Sequence, residues 1–151
     1  MEKERTLVII KPDAVQRGLV GEIISRFEKK GCKIIAMKLV SVDRKLAEKH
    51  YGVHRGKPFF EPTVKYITSS PVVAMVLEGV SVIETVRRMM GKTDPQQAET
   101  GTIRGDYAQF IGRNIVHGSD SRETADFEIN LWFKPEEITR YTRSDEQWLT
   151  E

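Results

Sequence analysis

The chain has few of the features that define disulfide-rich or membrane-spanning proteins. It contains a single cysteine, Cys32, which excludes an internal disulfide and is typical of a reducing compartment. Its longest apolar run, residues 72–77, is too short to cross a bilayer as a helix, and the first residues lack the apolar core of a signal peptide. We therefore expect a cytoplasmic protein that does not enter a membrane.

Neither sign of charge dominates the sequence. Lys and Arg total 24 against 22 Asp and Glu, a net charge of +2, whereas nucleic-acid-binding proteins usually carry clustered basic residues. This balance argues against a nucleic-acid partner, but it leaves room for a local basic pocket that binds a small polyanion. With 151 residues, of which 39% are apolar, the chain is expected to form one globular domain spanning residues 1–151.

Hydrophobic periodicity predicts an α+β domain. A β-rich run at residues 6–10, an amphipathic helix at residues 20–27 and a second β-rich run at residues 34–42 form a βαβ unit, whose two strands should be parallel. Further strands are predicted at residues 72–78 and 115–116. This order matches the ferredoxin-like split βαβ arrangement, a four-stranded antiparallel sheet flanked by helices.

Short polar patterns predict where several helices begin. Asp43 can cap one helix, and Ser81 and Glu84 have the spacing of a capping box for another. Asp120 is predicted to open the last long helix. Residues 92–112 contain few apolar side chains and predict a long loop, which in a compact domain is usually functional or disordered.

Only three histidines are available for chemistry. His50 ends a charged helix and His54 lies in a turn beside Arg55 and Lys57, so both are expected to be exposed to solvent. His117 differs because it ends an apolar strand and precedes a helix N-terminus, where an anion can bind. Its position alone leaves open whether His117 is functional or structural.

Positive side chains stand at suitable places for binding phosphate. Lys11 follows the first strand, Arg87 lies near the end of a helix, and Arg104 lies in the long loop. Phosphoryl transfer needs positive groups of this kind around the moving phosphate. Each of them could equally be a solvated surface charge, and sequence spacing does not establish that they converge.

Two familiar motifs are excluded. Residues 91–93, Gly-Lys-Thr, resemble the end of a P-loop, but Val86 stands where the full pattern needs glycine, and the segment follows a helix rather than a strand. His117, Ser119 and Asp120 have the residue types of a hydrolase triad. They are too close in sequence to adopt the geometry that a triad needs.

The segment Arg-Asn-Ile-Val-His-Gly-Ser-Asp at residues 113–120 closely resembles the N-x-x-H-G-S-D signature of the nucleoside diphosphate kinases. The similarity extends from about residue 5 to the C-terminus. It includes residues 11–13, 16–22, 50–51, 58–60, 101–106 and 131–133. The resemblance implies an enzyme that transfers the γ-phosphate of a nucleoside triphosphate to a nucleoside diphosphate, through a ping-pong mechanism with a phosphohistidine.

The resemblance also implies a role for individual residues. His117 would attack the γ-phosphorus through Nδ1, Glu128 would hold the other ring nitrogen, and Ser119 would support the same site. Positions that bind phosphate, ribose or base in the family correspond here to Lys11, Tyr51, Phe59, Arg87, Thr93, Arg104 and Asn114.

Stacking of the base on Phe59 would make the enzyme tolerant of base and sugar, because every base has a π-face. The implied cofactor is Mg²⁺, carried by the nucleotide phosphates rather than by a protein metal site, with a water-mediated contact from Asp120. Around the base, Gly56, Pro62 and Thr63 depart from the family pattern. Thr63, where the family often has leucine, would remove apolar area from one wall of the base site.

The chain keeps a C-terminal extension, residues 134–151, and its last part, residues 141–151, resembles that of hexameric family members. The resemblance therefore implies a hexamer built as a trimer of dimers. Two other functions are weighed. A catalytically weak scaffold would be expected to lack the histidine or a phosphate ligand, and a nucleic-acid-binding protein finds little support in the charge balance.

Overall fold

A computed structural model describes residues 2–151. The sheet of the described chain has the strand order β2-β3-β1-β4, and each neighbouring pair is antiparallel. Its strands are β1 (Lys3–Ile10), β2 (Lys33–Val40), β3 (Val72–Val80) and β4 (Val116–Gly118). Since β1 and β2 both run antiparallel to β3, they are parallel to each other with β3 between them. The predicted ferredoxin-like split βαβ arrangement is confirmed.

Helices cover the sheet and complete the α+β fold. They are α1 (Pro12–Gln16), α2 (Val20–Lys30), α3 (Arg44–His50), α4 (Phe60–Ile67), α5 (Val82–Met90), α6 (Ile103–Tyr107) and α7 (Arg122–Trp132), with 3₁₀ turns at Gly52–His54, Pro135–Glu137 and Glu146–Trp148. Residues 7–10 of β1 have no exposed surface. Because successive side chains of a strand point to opposite faces, both faces of this central strand are covered.

Several helix boundaries follow the predicted signals. Asp43 caps α3, since its side chain accepts a hydrogen bond from the backbone nitrogen of Leu46 at 2.7 Å. Gly31 ends α2 with a left-handed φ of 102°, a conformation that glycine adopts without steric cost. In residues 2–151, no helix combines the length and apolar character that crossing a membrane would require.

Other local predictions were wrong. Ser81 is not the capping side chain of α5, because its left-handed φ of 53° is not the extended conformation of a side-chain cap. Glu4 on β1 instead accepts a hydrogen bond from Ile83 in the first turn, a contact across 79 residues that local patterns do not reveal. The cap of α7 is Ser121 rather than Asp120. The segment predicted as a long loop, residues 92–112, contains α6.

Candidate active site

His117 lies on β4, where it pairs with Ile9 of the central strand. Its side chain is 21% exposed and lines a cleft of about 850 Å³. Its Nε2 is 2.9 Å from Oε1 of Glu128, which projects from α7. The pairing of β4 with β1 and the packing of α7 on β1 thus bring a strand histidine and a helix carboxylate into contact.

Glu128 is a buried carboxylate rather than an exposed helix residue. Its Oε1 also accepts a hydrogen bond of 2.7 Å from Oγ of Ser119, and this hydroxyl accepts a bond of 3.2 Å from the backbone nitrogen of Leu7. Burial acts to raise the pKa of Glu128, but the hydrogen bond and charge of His117, together with His50 and Ser119, outweigh it and lower the pKa below its ordinary value. Glu128 is therefore an anion that holds the ring of His117.

This contact fixes the tautomer of His117. An ionised carboxylate only accepts hydrogen bonds, so the proton of a neutral His117 ring is on Nε2. The remaining nitrogen, Nδ1, forms no side-chain hydrogen bond with the chain over residues 2–151. Nδ1 consequently keeps a lone pair available to an electrophile in the cleft.

The prediction that His50 is exposed was wrong. Its side chain is 2% exposed, and its ring lies edge-on to that of His117 with centroids 4.8 Å apart. Nε1 of Trp132 donates a hydrogen bond of 3.0 Å to Nδ1 of His50. Burial, and then the neighbouring His117, lower the pKa of His50 to about 3, so this ring is neutral at physiological pH.

Tyr51 and His54 follow His50 and line the same cleft. The hydroxyl of Tyr51 is buried without a hydrogen-bond partner among the described residues. Burial raises the pKa of this phenol, so Tyr51 stays protonated and can donate to an anion. His54 is only half-buried, in partial agreement with the expected exposure.

Lys11 sits beside the loop that leads into β4. Its Nζ donates a hydrogen bond of 2.7 Å to Oδ1 of Asn114, whose Nδ2 donates one of 3.2 Å to the carbonyl of Thr93. Burial, and then the charge of Arg104, lower the pKa of Lys11 to about 8. Three residues that the family resemblance assigns to the nucleotide site are therefore joined in one chain of hydrogen bonds.

Arg104 lines the cleft and also donates hydrogen bonds to backbone carbonyl groups. Its guanidinium donates to the carbonyls of Asn114 at 3.3 Å, Gly91 at 2.9 Å and Val116 at 2.7 Å. Burial, and then the charge of Arg87, lower its pKa to about 10, which leaves it charged at neutral pH. Arg104 thus ties the long loop to β4 and still has N–H groups for an anion, while the exposed Arg87 lies on the same cleft wall.

The backbone immediately before β4 is strained. Ile115 is fully buried and has a φ of 64°, a conformation that is rare for a β-branched residue and costs on the order of 1–3 kcal/mol. Its carbonyl accepts a hydrogen bond of 2.9 Å from the backbone nitrogen of Lys11. The strained turn thereby couples the strand of His117 to Lys11, which directly follows β1, and nothing in the local sequence marks this turn.

Phe59 lies apart from the phosphate-side residues. It is 48% exposed, is not part of the cleft wall, and packs edge-on against His54 with ring centroids 5.0 Å apart. Pro62 falls in the first turn of α4, and Thr63 beside it is partly buried. Phe127 of α7 does line the cleft and is exposed, although sequence reasoning did not single it out.

Three side chains of the cleft could be read as metal ligands. Ligating atoms of His50, His117 and Glu128 lie within 4.8 Å of one another. These side chains are, however, hydrogen-bonded to each other or to Trp132. Mg²⁺ also prefers oxygen ligands and retains several waters. The exposed carboxylate of Asp120 on the cleft wall suits a hydrated Mg²⁺ that arrives bound to phosphates.

Known proteins match this chain in sequence and in structure over nearly its whole length. A family model described as nucleoside diphosphate kinase matches residues 4–138. The nucleoside diphosphate kinase of Pyrococcus furiosus is 62% identical over 146 residues, 95% of this chain and 91% of that protein. That of Desulfitobacterium hafniense (strain Y51) is 58% identical over 148 residues, 98% of this chain and 99% of that protein. A halophilic nucleoside diphosphate kinase from Halobacterium salinarum, solved in complex with CDP, aligns with a TM-score of 0.97 at 46% identity, covering 99% of this chain and all of that one (100%). The chain belongs to the nucleoside diphosphate kinase family.

Proposed function

We propose that this enzyme transfers the γ-phosphate of a nucleoside triphosphate to a nucleoside diphosphate through a phosphohistidine at His117. Family membership makes the chain a phosphotransferase. The observation that supports the histidine route is the bond from Nε2 of His117 to the buried Glu128, which leaves Nδ1 unbonded in a cleft that also contains Lys11 and Arg104.

The proposed step is an in-line displacement. The Nδ1 lone pair of His117 forms a bond to the γ-phosphorus, the bond from that phosphorus to its bridging oxygen breaks, and the nucleoside diphosphate leaves with the electron pair. The ring keeps its proton on Nε2 and gains positive charge, which the carboxylate of Glu128 stabilises. A second nucleoside diphosphate then attacks the phosphohistidine and reverses the sequence.

Basic and polar side chains bind the phosphates in this proposal. Lys11, Arg87 and Arg104 neutralise charge on the transferred group, and the buried hydroxyl of Tyr51 gains a hydrogen-bond acceptor. Thr93 and Asn114 contact phosphate or ribose. Asp120 would hold Mg²⁺ through water, and the ion, bound to the nucleotide phosphates, would supply positive charge to their oxygens.

We further propose broad tolerance of base and sugar. The half-exposed ring of Phe59 offers a flat surface beside the cleft, and stacking does not discriminate between base edges. The Halobacterium salinarum relative in complex with CDP is consistent with a pyrimidine at this place. The polar Thr63 should weaken the apolar wall without affecting the chemistry.

The finer assembly and location are also proposals. A hexamer, a trimer of dimers, fits the exposed apolar side chains of edge strand β2, where Met37 is 53% and Leu39 is 69% exposed, and those of Phe110 and Ile111 in the long loop. Sedimentation equilibrium should then give six times the chain mass of 17.3 kDa. The single, buried Cys32 accords with the cytoplasm.

Labelling with γ-³²P-ATP tests the function directly. The wild-type chain should form an acid-labile, alkali-stable phosphoprotein that transfers its label to added nucleoside diphosphate, with ping-pong kinetics. The variant His117→Ala should take up no label while retaining its fold. A wild-type enzyme that never becomes labelled would refute the phosphohistidine mechanism.

A further inference from the structure

His50 is the buried titratable group of the cleft that the proposed mechanism does not use. It is enclosed on three sides by the rings of Tyr51, His117 and Trp132, with centroids 4.6, 4.8 and 5.5 Å away. A polar ring in such a position is costly to bury unless its nitrogens are engaged. Its contacts therefore indicate what the residue does.

The tautomer of His50 follows from its partner. The indole nitrogen of Trp132 can only donate a hydrogen bond, so Nδ1 of His50 must accept the 3.0 Å bond between them. In the neutral ring the proton is then on Nε2. That N–H group lies 3.8 Å from Oε2 of Glu128, the carboxylate oxygen that His117 and Ser119 do not use.

The two oxygens of Glu128 are thus approached from different sides. Oε1 binds His117 and Ser119, while Oε2 faces the N–H dipole of His50 at a distance longer than a hydrogen bond but short for a charge–dipole interaction. The edge of His50 also limits rotation of the His117 ring. Other charged groups acting on His50 are Lys11 and His54.

We infer that His50 is a positioning residue for phosphoryl transfer: in the tautomer fixed by Trp132, it orients the carboxylate of Glu128 and the ring of His117. The inference rests on the proposed function, since it concerns the same nucleophile. A neutral ring suits this role because a second cation beside His117 would oppose the positive charge that develops there. In this role His50 acts through Glu128 and His117 rather than on the phosphate itself.

Three variants separate positioning from packing. His50→Phe keeps the ring volume but removes both nitrogens. His50→Gln keeps an amide oxygen for Trp132 and an amide N–H for Glu128. Trp132→Phe keeps the aromatic wall but removes the donor that fixes the tautomer.

The measurement is single-turnover phosphorylation of each folded variant at increasing ATP, which separates the maximal rate from the half-saturating nucleotide concentration. We expect His50→Phe to lower the maximal rate about 10- to 100-fold, the scale of a small misplacement of a reacting group, with little change in half-saturation. His50→Gln should restore most of the rate, and Trp132→Phe should lower it in the same direction as His50→Phe.

Two results would overturn the inference: a His50→Phe enzyme that is phosphorylated at the wild-type rate, or a His50→Gln enzyme as slow as His50→Phe. If His50→Phe does not fold, slow phosphorylation of Trp132→Phe together with fast phosphorylation of His50→Gln supports positioning. Fast phosphorylation of Trp132→Phe together with slow phosphorylation of His50→Gln refutes it. Wild-type and His117→Ala proteins are run in parallel. Absence of label in the wild type would reject the proposed function. A labelled wild type whose phosphorylation rate is unchanged by substitution of His50 would reject the positioning role alone.

Discussion

The ionisable groups nearest His117 have different protonation states at neutral pH. Glu128 is an anion on one side of the ring, and the buried His50 is neutral on the other. Lys11 is positive at neutral pH, but its pKa of about 8 places it close to losing its proton. Of these three groups, only Lys11 has a pKa near neutral pH, so its contribution can be separated experimentally.

Lys11 predicts how activity depends on alkaline pH. Only the protonated amine attracts phosphate, and burial lowers its pKa to about 8. Above that pH, kcat/KM for a nucleotide should therefore fall about tenfold per pH unit, because this ratio reports ionisation of the free enzyme. Lys11→Arg, which stays charged, should have lower activity but a flat profile between pH 7 and 9.5. A wild-type profile as flat as that of Lys11→Arg would contradict the assignment.

At the scale of single residues, the family resemblance predicted the contact of Glu128 with the ring nitrogen of His117 opposite Nδ1, but it did not predict the surroundings of that pair. His117, Glu128 and Ser119 lie in contact, as do Lys11 and Asn114. The burial of His50 was missed because its partner Trp132 is 82 residues away in sequence, and a charged helix end gives no sign of it. Polar residues whose burial depends on distant partners are beyond local patterns.

At the scale of elements, the long loop depends on a close approach of backbone to Gly105 in α6. A Cβ atom built there would be 2.0 Å from the carbonyl oxygen of Glu99, whereas one at Gly21 in α2 would meet nothing within 4 Å. The loop and α6 are therefore locked together where Arg104 leaves the helix. The prediction of a long loop missed α6 because this packing stabilises a helix that has few apolar residues of its own.

Gly105→Ala tests that packing. The extra methyl group should destabilise the chain by about 1–3 kcal/mol and displace Arg104, so that nucleotide binding weakens as well. Gly21→Ala, on an exposed helix surface, should instead stabilise it by about 0.5–1 kcal/mol without affecting activity. Urea denaturation and KM for ATP measure both effects. Equal free energies of unfolding for the two variants would show that the loop accommodates the extra methyl group without loss of stability.

At the scale of the whole molecule, the sheet arrangement was predictable because the order of strands and helices along the chain matches the split βαβ pattern. The details that position the site were not. The strand β4 has three residues, and the strained Ile115 precedes it, so its geometry depends on pairing with β1 rather than on its own sequence. The same tertiary packing removes His50 from water, which makes folding stability itself sensitive to pH.

The sign of that sensitivity follows from the proton balance. Unfolded His50 has an ordinary pKa of 6.5, whereas the folded pKa is about 3, so between these values the unfolded state binds more protons. This stabilising contribution is complete above pH 6.5 and is lost as pH falls, by about 1.4 kcal/mol per pH unit. Glu128, whose folded pKa is lowered, adds a loss only below about its ordinary value of 4.5. The range from pH 7 to pH 5 therefore separates the contribution of His50 from that of Glu128.

His50→Gln removes the titration while keeping the site's hydrogen-bonding groups. Between pH 7 and pH 5, the free energy of unfolding of the wild type should fall by about 2 kcal/mol more than that of His50→Gln. Urea denaturation at both pH values measures the difference, at one fixed protomer concentration because assembly also contributes to stability. Parallel pH dependences would mean that His50 is accessible to protons in the folded enzyme, and its neutrality beside His117 would then have to be abandoned.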